Sequence, residues 1–189
     1  MVDHDSLQER GRALEEEYFR KKNRELVERM QAEARSEQAR RDMGAAVGID
    51  DPEMLRELQK LGFTPDTVAL LPLVPVLQVA WADGSVAPAE RDAILKLAQT
   101  RGIADGSPAH HQLKAWLADR PSSDVFTSAT RLIRAILDAP AGDKQLSADD
   151  LVGYAESIAS ASGGLFGLRS ISPEERAMLT SLAEQLKGR

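Results

Sequence analysis

The chain spells one helix start twice, 85 positions apart: Val86-Ala87-Pro88-Ala89-Glu90-Arg91 and Ile171-Ser172-Pro173-Glu174-Glu175-Arg176. Proline suits the first helical position, where its missing N–H would be unpaired anyway and its φ is already helical. Ala87 and Ser172 then fall at the N-cap, and Glu90 and Glu175 at the third helical position. From there a carboxylate can reach back to the free N–H groups of the turn and lies well against the helix dipole. Leu179, Leu182 and Ala183 match Ile94, Leu97 and Ala98, so each start leads into a helix with an apolar face. An internal duplication and a common local solution used twice both explain the pattern.

The first copy carries more information than the second. Val79-Ala80-Trp81-Ala82 ends an apolar helix, and Asp83-Gly84-Ser85 makes a tight acidic turn before the next one begins. Gly84 can take the positive φ that such a reversal needs without a Cβ clash. Leu168 stands where Asp83 stands, so the second copy lacks the acidic turn. Asp83 and Glu90 also have the spacing of the back half of a calcium loop, Asp-Gly followed by five residues and Glu. The two earlier ligand positions fall on Val79 and Trp81, which cannot coordinate a hard cation, so an EF-hand is excluded. Cap and turn chemistry accounts for the pair without a metal.

Punctuation divides the rest of the chain into helices. Asp51-Pro52 starts one and Gly62 closes it; Thr64-Pro65 starts the next, which Pro72 and Pro75 must break or restart. Leu70 to Ala80 leaves almost no polar face, as expected of a central helix. Pro88 to Arg101 ends at Gly102, Ser107-Pro108 starts a helix to about Asp119, and Ser122 or Ser123 caps one running to Ala139. Pro140-Ala-Gly142 breaks the chain, Ser147 caps Ala148–Ser162, and Pro173 begins the last helix. No segment shows period-two alternation over a useful length, and aromatics are only 4%, so the core is built from Leu, Ile, Val and Ala. The expected fold is all-α, a helical bundle over residues 45–189.

Residues 1–44 differ. Between Leu7 and Met43 the composition is nearly all helix formers, with ten Lys/Arg against eleven Asp/Glu over residues 1–44. Glu16–Arg20, Glu17–Lys21, Glu25–Arg29 and Glu37–Arg41 stand at i, i+4 in the favourable order, each worth roughly 0.3–0.5 kcal/mol. The apolar edge is thin: Leu14, Tyr18, Leu26, Met30 and Ala34, interrupted by Lys22. This is a charged helical arm, either a solvated helix or one used to engage a partner protein or to self-associate.

The composition closes several functional classes. With no cysteine there is no disulfide, thiol chemistry or cysteine-held zinc. A formal charge of −6 argues against nucleic-acid binding, which needs a basic surface. The longest apolar stretch, Val68 to Ala82, is interrupted by Pro72, Pro75 and Gln78 and is too short to insert across a membrane. The N-terminus is polar and charged, unlike a secretory signal, so a cytoplasmic location is expected. Gly163-Gly164-Leu165-Phe166-Gly167-Leu168 has no lysine and follows no strand, so it is not a phosphate loop. Adjacent His110 and His111 point in different directions, with Lys114 and Ala115 at i+4, a poor basis for a metal or general-base site. No catalytic constellation and no cofactor motif is found.

Ala80-Trp-Ala-Asp-Gly-Ser-Val-Ala-Pro-Ala-Glu-Arg91, with the later run Gly163–Arg176, resembles the signature of the TerB-like (tellurite-resistance) family over about Leu58 to Leu186. The resemblance implies an all-helical domain, a stress- or envelope-linked protein assembly, and a divalent metal ion at the acidic residues Asp83 and Glu90. Relatives in that family include the helical domain of DnaJ-like membrane co-chaperones, but this chain has no histidine-proline-aspartate motif. Arg10/Arg12-Ala13-Glu15-Tyr18/Phe19 is similar to the inhibitory helix of the alphaproteobacterial F-type ATPase zeta subunit. Gly62-Phe63 between two helices resembles a ubiquitin-associated domain, although a C-cap followed by an apolar anchor explains it as well. The expected function is a non-enzymatic binding or scaffold protein of TerB-like type. The alternatives are a metal-dependent enzyme or sensor built on Asp83 and Glu90, and an ATPase regulator acting through the N-terminal helix.

Overall fold

The computed structural model describes residues 3–138, 147–162 and 171–187, with side chains from Arg12 onward except Ala13, Leu14 and Ser162. The breaks expected at Pro140-Ala-Gly142 and the glycine-rich run Gly163–Leu168 lie outside the described residues. Eight α-helices and two short 3-10 segments make up the described chain, which contains no strand. The fold is an all-α bundle. No helix among the described residues is long and apolar enough to cross a membrane.

The chain divides into two units, Met1–Ala39 and Arg40–Arg189. The boundary falls earlier than the expected 44/45, and the packing explains why. Helix α1 spans Asp3–Val47 and does not stop at Gly44. Its last turns belong to the second unit: Met43 is fully buried in the core and Arg40 Nη1 donates to Gln59 Oε1 at 3.1 Å. In the first unit the helix is charged and exposed. Arg20 Nε donates to the Glu16 main-chain carbonyl at 3.3 Å rather than to its carboxylate, and Lys22 pairs with Glu25 at 3.7 Å.

Within the second unit, α2 (Pro52–Lys60) starts on Asp51, whose Oδ1 accepts the Glu53 and Met54 N–H groups at 2.8 and 3.3 Å. Thr64-Pro65 opens a turn and not a helix: Thr67 Oγ1 accepts the Thr64 N–H at 2.9 Å, and the chain continues into the 3-10 segment Val68–Leu73. The proline ring at position 72 removes one donor, and α3 (Val74–Ala80) restarts with Pro75 in its first turn. Every residue of α3 except Gln78 is buried, and it packs on α6 (Ser123–Asp138), α7 (Ala148–Ala159) and α8 (Pro173–Lys187). This is the central helix that the sequence pattern predicts.

Helix ends share one device. Gly48, Gly62 and Gly102 take φ of +70°, +87° and +84°. The N–H of the residue after each glycine returns to a carbonyl five residues back: Ile49 to Gly44, Phe63 to Leu58 and Ile103 to Ala98, each at 3.0 Å. Such a left-handed closure needs glycine at the turn and is commonly locked by an apolar residue behind it. Ile49, Phe63 and Ile103 are all buried. Gly62-Phe63 is therefore a C-cap with its anchor, and Phe63 packs edge-on against Trp116 with ring centres 5.8 Å apart.

Candidate functional site

The turn and helix start at Val79–Arg91 fold as their residues dictate. Gly84 takes φ +94° and donates its N–H to the Trp81 carbonyl at 3.1 Å. Asp83 Oδ1 accepts the Ser85 N–H at 3.0 Å, so this exposed carboxylate closes its own turn. Helix α4 (Pro88–Thr100) begins with Ala87 in extended geometry, and Glu90 Oε2 accepts the Ala87 N–H at 2.8 Å. Alanine offers no side-chain acceptor in return, so only half of a capping box forms.

The second start completes the box. Ser172 N–H donates to Glu175 Oε2 at 2.7 Å, and Glu175 N–H donates to Ser172 Oγ at 3.1 Å. The tertiary structure then brings together what the chain holds 85 positions apart. Glu90 and Glu175 both interact through their side chains, although they are only 2% and 3% exposed. With Thr130, they are the buried polar or charged residues of the described core. Glu90 Oε1 is buried without a hydrogen-bond partner.

Burial is the main force on Glu90 and pushes its carboxyl up to about 8. The Ala87 N–H pulls the other way, while the close approach and negative charge of Glu175, and then the charge of Asp83, push it further up. Removing two carboxylates from water next to each other, with no cation among the groups acting on Glu90, disfavours ionising both.

A hard divalent cation would need more oxygens than the described residues offer here. Calcium takes six to eight oxygen ligands and magnesium an octahedral set. The described residues contain no group of three or more His, Cys, Asp or Glu that could hold a metal ion. Asp83 is exposed and commits Oδ1 to its turn, and one oxygen each of Glu90 and Glu175 is taken by a backbone N–H. The described residues around Asp83 and Glu90 therefore do not by themselves complete a metal-ligand set. The partner of Glu90 is Glu175, which the sequence marks only as a cap; the 85-residue repeat was the signal that could have paired them.

Two other residues of the signature hold α5 (Pro108–Ala118). Trp81 Nε1 donates to the Trp116 carbonyl at 2.9 Å, and Arg91 Nη2 donates to the Leu117 carbonyl at 2.8 Å. Both carbonyls lie in the last turn of the helix, where no further backbone donor follows. A guanidinium there also suits the negative end of the helix dipole. Arg91→Ala is expected to destabilise the bundle by about 1–2 kcal/mol by leaving the Leu117 carbonyl unpaired, read from chemical denaturation. A loss within experimental error would mean that the contact is not used.

His110 is accounted for locally. His110 Nδ1 accepts the Gly106 N–H at 3.0 Å, and Nε2 lies 3.4 Å from Asp105 Oδ1. An Nδ1 used as acceptor places the proton on Nε2, which makes this ring a turn fastener.

The remaining candidate surface is the first unit. Tyr18, Phe19, Leu26, Val27 and Met30 are 50–61% exposed within 13 residues of an otherwise charged helix. Phe19, Leu26 and Met30, at seven- and four-residue spacing, share one face. Tyr18 stacks edge-on with Phe19 and carries Lys22 over its ring. No family model, no curated protein and no solved structure matches the chain.

Proposed function

We propose that the chain is a non-enzymatic helical binding or scaffold protein of TerB-like type, with its N-terminal helix as the partner-engaging arm. The observation that carries this reading is the exposed apolar set from Tyr18 to Met30 on a charged helix. A solvated helix has no use for five large apolar side chains so close together, whereas an amphipathic helix that docks presents such anchors. The occupant is an apolar helical surface of a partner protein. The resemblance of Ala80–Arg91 to the TerB-like signature supports a stress- or envelope-linked assembly, and the lack of cysteine fits a cytoplasmic location.

Replacing Phe19, Leu26 and Met30 together with serine tests the reading. Partner recovery from cells by the full-length chain is expected to fall at least tenfold, with helix content and melting of the second unit unchanged. Equal recovery by the triple variant would defeat it. Sedimentation of the purified chain separates a heterologous partner from self-association, because only the latter makes the apparent mass depend on concentration and on these three residues.

A further inference from the structure

We propose that Glu90 and Glu175 form a carboxylic acid–carboxylate pair that holds one proton between the starts of α4 and α8, and that losing this proton loosens the joint. The argument begins with geometry. Each carboxylate spends Oε2 on the N–H of its own N-cap, Ala87 or Ser172, and the two side chains, both buried, interact with each other across the joint. Glu90 Oε1 is buried and finds no donor. Two ionised carboxylates can only accept, so they cannot hydrogen-bond to each other; a single proton makes one of them the donor. The same proton removes the like-charge repulsion that burial would magnify.

Among the described residues no cation acts on Glu90, and Arg176, next to Glu175 on α8, lines a cleft with Glu156 and Glu184. The charges acting on Glu90 are Glu175 across the joint and Asp83 on the preceding turn, both negative. Arg91 turns to the Leu117 carbonyl of α5. Helix α3, packed on α8, has no ionisable side chain. On α7, Asp150 is bound to Ser147, Asp149 to Lys187, and Tyr154 lies under Arg101, leaving Glu156, a further negative group. On α6, Arg134 binds the Gln185 carbonyl and Arg131 pairs with Glu57. The histidines and Lys114 sit on α5, where His110 is held by Gly106 and Asp105.

The sign of the effect follows from linkage. The folded-state pKa of Glu90 is raised to about 8, against an ordinary 4.5, so the folded protein binds more protons than the unfolded chain between these values. Stability from this group is full below about 4.5 and is lost as pH rises toward 8. For one such group the unfolding equilibrium constant grows on the order of 100-fold between pH 5.5 and 8.5.

The test compares urea unfolding of the full chain from pH 5 to 9 for wild type, Glu90→Gln, Glu175→Gln and Asp83→Asn. A glutamine at either position supplies a donor without a titration. Both Gln variants are expected to lose most of the alkaline fall and to be more stable than wild type at pH 8.5, while Asp83→Asn keeps the fall with its midpoint moved slightly down, because only the smallest upward push on Glu90 is removed. Infrared spectroscopy of the wild type should show a protonated carboxyl band at pH 6.5 that disappears by pH 9 and is absent from Glu90→Gln. Parallel pH profiles for wild type and both Gln variants would overturn the proposal. So would restoration of wild-type stability at pH 8.5 by millimolar Mg²⁺ or Ca²⁺, which would place a cation where the proton is assigned. Should one Gln variant fail to fold, the wild-type infrared band still decides.

Discussion

Trp81→Ala is expected to destabilise the bundle by about 3–5 kcal/mol, the range for losing a large buried aromatic side chain. Two effects act together. The indole is 9% exposed and belongs to the core cluster, so its removal leaves a cavity. Its Nε1–H is the donor to the Trp116 carbonyl at 2.9 Å, so α5 also loses a partner at its last turn. Trp81→Phe separates the two, since it keeps most of the volume and loses the donor. That variant should cost about 1–1.5 kcal/mol, the scale of one hydrogen bond, plus a smaller packing loss. Chemical denaturation followed by circular dichroism checks both. If the phenylalanine variant is as stable as wild type, the indole N–H does not tie α3 to α5.

Gly44→Ala is the second large effect, and here tertiary structure reverses a local rule. Alanine in a helix interior is ordinarily better than glycine by about 1 kcal/mol. At position 44, however, an added Cβ would stand 2.5 Å from the Ile49 carbonyl oxygen and 3.2 Å from Leu55 Cδ1. The first neighbour is backbone, held in the closing turn by Gly48 at φ +70° and by the Ile49 N–H returning to Gly44. Relieving the clash means shifting that turn or the α2 contact, an overpacking cost of about 1–3 kcal/mol. The clash wins, and the net change is destabilising. Gly153→Ala in α7 is the control: a Cβ there meets nothing within 4 Å, so this variant should gain roughly 0.5–1 kcal/mol. Two variants moving in the same direction would show that helix propensity alone governs both sites.

These two glycines show how far the chain can be read without its fold. Both lie inside helices, and nothing in their immediate sequence separates them. Gly44 looks like the end of the arm, whereas α1 continues to Val47 because Met43 and Ile49 are buried in the second unit. The carboxylates teach the same lesson. Both half-sites are legible, since Ser172-Pro173-Glu174-Glu175 and Ala87-Pro88-Ala89-Glu90 each state a helix start. That they face each other is not legible. Thr64-Pro65 went the other way: its proline suggests a helix, but Thr67 supplies a side-chain acceptor that closes a turn first.

Most helix starts and stops among the described residues, the all-α class, the buried character of Val74–Ala80 and the acidic turn at Asp83-Gly84 are written in the residues themselves. They rest on contacts three to five positions apart, on fixed φ values and on apolar runs, all of which are local. The pairing of Glu90 with Glu175, the bonds from Trp81 and Arg91 to the end of α5, and the close approach at Gly44 arise only on packing. Each depends on where separate helices dock in the bundle or on how a closing turn folds back, and docking is set by the summed shape of many side chains rather than by any short motif.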